Sequence, residues 1–198
     1  MDADVHPVCP EGGSNGMKEK RYMEDWKNVS RIDEKGKEIR EPVYQGSWYI
    51  LEEGTDKKAL ALRAALPCGA FLALIILYFR LNFPGATVLY VFLPAALGLF
   101  PGLYWAMGAF GVMKAPEKMT RLQKENGIGR ALRSSAGCAV FSLAAAAGDL
   151  ILILLQGQGP REWPGLLLLL AAACVAFAAM RYYRETVGRL VERRQTAP

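Results

Sequence analysis

The pattern of apolar and polar positions divides the chain near residue 59. Before it, charged and polar residues interrupt every apolar run within a few positions. After it come four long apolar blocks: ALALRAALPCGAFLALIILYF (59–79), ATVLYVFLPAALGLFPGLYWAMGAFGVM (86–113), SSAGCAVFSLAAAAGDLILILL (134–155) and PGLLLLLAAACVAFAAM (164–180). A helix rises about 1.5 Å per residue, so crossing a hydrocarbon layer of about 30 Å takes about 20 residues. The first three blocks reach that length. The fourth reaches it with Trp163 and Tyr182/Tyr183 taken as interfacial anchors. Buried helices of a soluble bundle would carry polar residues at every third or fourth position, and these blocks do not. The pattern predicts an all-α membrane protein, a four-transmembrane-helix bundle with spans at about 60–80, 86–113, 133–155 and 164–182.

The preamble, residues 18–58, carries strand chemistry. In WKNVSRIDEKGKEIREPVYQGSWYIL (26–51), Val29 and Ile32 lead into DEKGK, a turn in which Gly36 accepts positive φ; EIREPVY, a second turn at QGS and WYIL follow. A small cytoplasmic N-terminal β-meander of two or three strands is expected, ending just before span one. It is marginal by itself, so Trp26, Tyr44, Trp48 and Tyr49 are expected to bury against each other, the membrane interface or a partner. Residues 1–17, rich in Gly, Pro and Asp, read as a disordered tail. No short apolar run marks a signal peptide, so span one is expected to act as its own insertion signal. Residues 183–198 form a basic cytoplasmic tail.

Charge adds sidedness. Lys57, Lys58 and Arg63 flank the start of span one. Lys114, Lys118, Arg121, Lys124, Arg130 and Arg133 lie between spans two and three, and Arg181, Arg184, Arg189, Arg193 and Arg194 follow or end span four. The opposite side holds only Arg80 in RLNFPG and Arg161 in QGQGPREW. Fourteen against two puts both termini in the cytoplasm, with two antiparallel hairpins closed by short outer turns. Residues 1–58 are net −3 (10 basic, 13 acidic) and residues 59–198 net +8 (14 basic, 6 acidic). The basic part is expected to meet anionic lipid, at about 1 kcal/mol per residue, the alternative being that the acidic preamble docks on the basic inner loop. Nucleic acid is not an expected partner, because no basic-aromatic patch exceeds what sidedness already explains.

The charged preamble KRYMEDW…DEKGKEIREPVYQGSWY, followed by four spans and a basic middle loop, resembles small four-helix membrane proteins of low-GC Gram-positive bacteria. The resemblance covers nearly the whole chain. It implies the architecture and a bacterial plasma (inner) membrane, and no activity.

Candidate chemistry is sparse. Asp149 stands inside AAAAGDLILILL, six residues before Leu155 and therefore about 9 Å below the outer surface. An unpaired charge at that depth costs up to about 3 kcal/mol. Asp149 is expected to face the interior and pair with Arg80 or Tyr90 as a clasp, the alternative being an ion- or proton-coupling role. Pro94 and Pro101 kink span two. Gly98, Gly102 and Ala106 form a small-xxx-small packing track, with similar tracks at Ala65–Gly69–Ala73 and Ser134–Cys138–Ser142–Ala146. No Ser–His–Asp set, zinc-protease motif, phosphate loop or pair of intramembrane carboxylates can be assembled, so no catalysis and no cofactor are expected. Cys68, Cys138 and Cys174 read as small apolar residues inside the spans; His6 and Cys9 supply no metal site. The function expected is a non-enzymatic subunit, accessory or scaffold in contact with lipid and with a membrane-protein partner or its own copies. The alternatives are a minimal oligomeric transporter or channel built on Asp149 and span two, and a membrane enzyme completed by a partner.

Overall fold

The computed structural model describes residues 26–32, 38–51, 57–116, 118–156 and 159–193. They fall into two compact units, Met1–Gly46 and Ser47–Pro198. The tail at 1–17, with His6 and Cys9, and the turn at 33–37 lie outside the described residues.

In the first unit β1 (Trp26–Ile32) and β2 (Glu38–Tyr44) form an antiparallel hairpin in which Trp26 faces Tyr44 and Ile32 faces Glu38. The Trp26 and Tyr44 rings meet edge to face at 5.3 Å, a pairing that favours the open end of the ladder.

The third predicted strand is not part of that meander. β3 (Trp48–Leu51) belongs to the second unit and is the middle strand of a different sheet, flanked by β4 (Lys118–Met119) and β5 (Leu190–Arg193), both antiparallel to it. Tyr49 lies opposite Met119, which is buried, and its ring carries the Lys124 ammonium at 3.8 Å. Alternation along a strand reveals its two faces but not its partners. Here the partners lie about 70 and 140 residues away. The preamble of 18–58 therefore divides at Gly46.

Four helices of the second unit are long and apolar enough to cross a membrane: Ala59–Arg80, Leu89–Lys114, Arg121–Leu155 and Arg161–Gly188. The helical elements are α1 (Lys57–Arg80), a 3-10 turn at Pro84–Thr87, α2 (Leu89–Leu97), α3 (Leu99–Lys114), α4 (Arg121–Lys124), a π turn at Glu125–Gly129, α5 (Arg130–Gln156) and α6 (Gly159–Gly188). Thr120 opens α4 with a capping box shared with Gln123. The span from α4 to α5 thus begins about twelve residues before the predicted 133, and α6 overruns 164–182 at both ends. α5 packs along α6, α3 and α2, and α1 closes the ring against α3 and α6.

Small residues let these helices approach. Ala172, Ala176 and Ala179 of α6 and Ala139, Ala145 and Ala146 of α5 are buried. Ser134, Cys138, Ser142 and Ala146 are all buried, so that track lies on the interior face. Span two breaks at Gly98, between α2 and α3. Pro101 has no N–H to return to Leu97, while Gly98 still donates to Pro94 (2.9 Å) and its carbonyl accepts from Gly102 (3.1 Å). Gly98 packs toward Phe141 of α5, Gly102 against Phe71 and Leu72 of α1, and Ala106 is half-buried. A Cβ on Gly69 would meet no atom of another helix within 4 Å, and the residue is exposed, so it packs against no other helix of this chain. Helix position decides this: Cys68 and Phe71 hold the inner face of α1.

Tyr183 is not an interfacial anchor either. It is buried; its hydroxyl donates to the Ala64 carbonyl (2.7 Å) and accepts from Trp105 Nε1 (3.0 Å), joining α6, α1 and α3. Large apolar side chains such as Leu66, Ile76, Phe100, Leu103, Val140, Leu154 and Leu167 face outward on all four of these helices.

Candidate functional site

Three interior stripes converge at the end of the bundle that carries the two short connections. On α1 the stripe runs Phe71, Ile75, Tyr78, and on α5 it runs Ser142, Ala145, Ala146, Asp149, Leu152. On α6 it runs Glu162, Leu166, Leu169, Ala172, Ala176. All three follow spacings of three and four, which keep one face of a helix inward. Each stripe therefore carries one polar residue to the same level, and Tyr78, Asp149 and Glu162 are all completely buried (0% exposed).

The connection between α1 and α2 closes over them. The chain reverses at Asn82, whose φ is +50°, a conformation asparagine tolerates, and then winds into the 3-10 turn. That turn satisfies itself through Thr87 Oγ1 to the Pro84 carbonyl (2.7 Å) and Val88 N–H to the Gly85 carbonyl (3.1 Å). Its Gly85 N–H points inward and donates to Glu162 Oε1 at 2.7 Å. Gly85 is required there. A methyl group on it would run into Asp149 Oδ1 and stand 3.1 Å from the Tyr78 hydroxyl. One glycine thus lies against all three buried side chains.

The Asp149 and Glu162 carboxyls face each other within hydrogen-bonding reach, and both act electrostatically on the Tyr78 hydroxyl. Tyr78 Oη, Asp149 Oδ1 and Oδ2 and Glu162 Oε2 are buried and receive no hydrogen bond from a side-chain or backbone donor around them. Only a proton on one of the two carboxyls would join Asp149 to Glu162. No Lys or Arg among the described residues pairs with either carboxyl. Glu162 does have the first turn of a 30-residue helix beneath it, where the helix dipole favours negative charge.

The partners expected from sequence are therefore corrected. Arg80 lies two residues beyond Tyr78, about 200° further around the helix, so an inward Tyr78 makes Arg80 face out, and it is exposed. Tyr90 is 46% exposed while its neighbour Val91 is buried. Tyr90 still matters through its backbone. Pro94 deprives the Tyr90 carbonyl of its helical donor, and Gly148 lets α5 close on it, the missing Cβ standing 3.1 Å from that oxygen. Glu162, assigned by the sequence to a turn, lies inside α6. Paired buried carboxyls do exist, contrary to the sequence expectation.

Gly85→Ala should lower the thermal unfolding midpoint of the detergent-solubilised protein by an amount corresponding to about 1–3 kcal/mol. The methyl displaces Asp149 and pulls the N–H from Glu162. Wild-type stability in that variant would mean the turn does not seal the pair.

Comparison of this chain with protein-family models, with curated proteins and with solved structures finds no match.

Proposed function

We propose that this chain is a non-enzymatic, multi-pass protein of a bacterial plasma membrane, with both termini cytoplasmic, that handles protons or small cations at a site buried in its outer half. One observation carries the reading: Asp149 and Glu162 meet with no basic side chain between them. A structural clasp would bring a basic or other donor side chain to the carboxyls, and none among the described residues donates to them. Two carboxyls in contact need a proton on one of them, because like charges that close do not both persist in a dry interior. Intramembrane carboxyls that face a bundle interior are typical of ion and proton pathways. A single four-helix unit leaves little room for a path, so the working form is a homo-oligomer or a complex with another membrane protein. The choice of membrane rests on the sequence likeness to small four-span bacterial proteins. The orientation rests on the fourteen basic residues that flank one set of span ends.

Infrared spectra of the full chain in lipid nanodiscs, taken across pH, test the site. A protonated-carboxyl band that converts to carboxylate, and that Asp149→Asn or Glu162→Gln removes, is the expected result; a band indifferent to both substitutions overturns it. Reporter fusions or cysteine accessibility test the orientation. Residues near 120 and 190 should be cytoplasmic and those near 83 and 158 external. Position 120 found outside would overturn it.

A second reading, a subunit or scaffold of a larger assembly, is favoured by the β4–β3–β5 sheet, whose outer strands offer edges to a partner. Reconstituted protein that moves no ion while its carboxyls still titrate would select this reading.

A further inference from the structure

We propose that the site takes a small monovalent cation, of the size of sodium or lithium, in exchange for the proton shared by Asp149 and Glu162; the inference rests on the reading above and names its ligand. The donor set is all oxygen: Asp149 Oδ1 and Oδ2 from α5, Glu162 Oε2 from α6 and Tyr78 Oη from α1. Hard cations select such sets, whereas soft metals select sulfur and imidazole. Tyr78 is the independent pointer. Its hydroxyl is fully buried and unpartnered, and it stands beside the pair against the same glycine. A tyrosine placed only to fill space there would leave that hydroxyl at a cost, whereas a cation gives it a ligand to bind.

The number of donors argues for a single charge. Calcium takes about six to eight oxygens and magnesium a near-octahedral six, mostly with waters. Four oxygens fall short of both, whereas they match the roughly four that lithium takes and leave sodium only about one or two ligands to find. Glu162 Oε1 is already held by the Gly85 N–H, which fixes the carboxyl and leaves Oε2 as its unpartnered oxygen. The exchange balances: one proton leaves the pair as one cation enters, and the net charge of the buried group is unchanged.

The test uses the full chain in lipid nanodiscs, weakly buffered, with a pH indicator. NaCl, LiCl, CaCl2 and N-methyl-D-glucamine chloride are added at matched ionic strength. NaCl or LiCl should release up to about one proton per chain, as cation binding to protonated ligands does, and the glucamine salt none. Asp149→Asn and Glu162→Gln should abolish the release. Tyr78→Phe, whose lost hydroxyl has no hydrogen bond to surrender, should match or exceed the wild-type unfolding midpoint yet raise the half-saturating salt concentration roughly tenfold. No release by sodium or lithium, release by calcium alone, or a wild-type response in Tyr78→Phe each overturns the inference. The infrared titration separates the two levels. If the pair titrates with pH while no salt displaces its proton, the proton reading stands and the cation falls.

Discussion

Gly108→Ala is expected to lower the stability of the bundle by about 1–3 kcal/mol, at the upper end of what one added methyl costs in a packed interior. The added Cβ would stand 2.7 Å from the Ala131 backbone nitrogen and 3.1 Å from its Cα. Backbone cannot rotate aside as a side chain can, so α3 and α5 must separate. The next turn, where a Cβ on Gly111 would stand 3.3 Å from the Gly127 Cα, loosens with them. Chemical or thermal unfolding in detergent measures the loss. Gly69→Ala is the control. It meets nothing within 4 Å, and alanine is the better helix former by about 1 kcal/mol, so a neutral or slightly stabilising effect is expected. Equal losses at the two glycines would sink the contact argument.

Asp149→Asn is expected to abolish proton or cation movement in proteoliposomes without unfolding the protein. The amide keeps the shape of the carboxyl but can neither lose a proton nor carry charge. Its NH2 can donate to an unmet Glu162 oxygen, so stability should match or exceed wild type by about 0.5–1.5 kcal/mol. Asp149→Leu should instead lose about 1–3 kcal/mol, since it removes the carboxyl that shares a proton with Glu162 and crowds Gly85 with a branched side chain. Wild-type ion movement in the asparagine variant would end the proposal.

The four spans are readable in the sequence because hydrocarbon thickness demands long apolar runs whatever the tertiary packing. Asp149 is readable because it is the one carboxylate inside the apolar blocks. Its companions were present as a weaker signal. Counting back from Ala172 through Leu169 and Leu166 in steps of three and four reaches Glu162, and counting on from Phe71 and Ile75 reaches Tyr78. Counting from charges instead of from stripes favoured Arg80, which the same geometry turns outward. Gly85 could not be found this way, since its role depends on where a turn crosses two other helices. The glycines show a similar limit. Small residues four apart permit close approach but do not say which face has a neighbour, so Gly69 and Gly108 look alike in sequence and differ in three dimensions. The partners of β3 were illegible for a related reason, since a strand's pattern reveals its faces and not which distant segments complete its ladder.

The small sheet also has a mechanical consequence. β3 leads toward α1, β4 follows α3 and β5 follows α6, so one hydrogen-bonded ladder clamps the same end of both helical hairpins. At the far ends the chain itself connects helices only within each hairpin, by Leu81–Val88 and by the short connection between α5 and α6, and the Gly85 N–H to Glu162 Oε1 bond ties one hairpin to the other. A motion that parts the hairpins must release that bond; it then pivots at the clamp, and its amplitude grows toward Asp149 and Glu162. Over a span of 22 residues, about 33 Å long, a tilt of about 5° shifts the far end by about 3 Å, roughly the diameter of a water molecule.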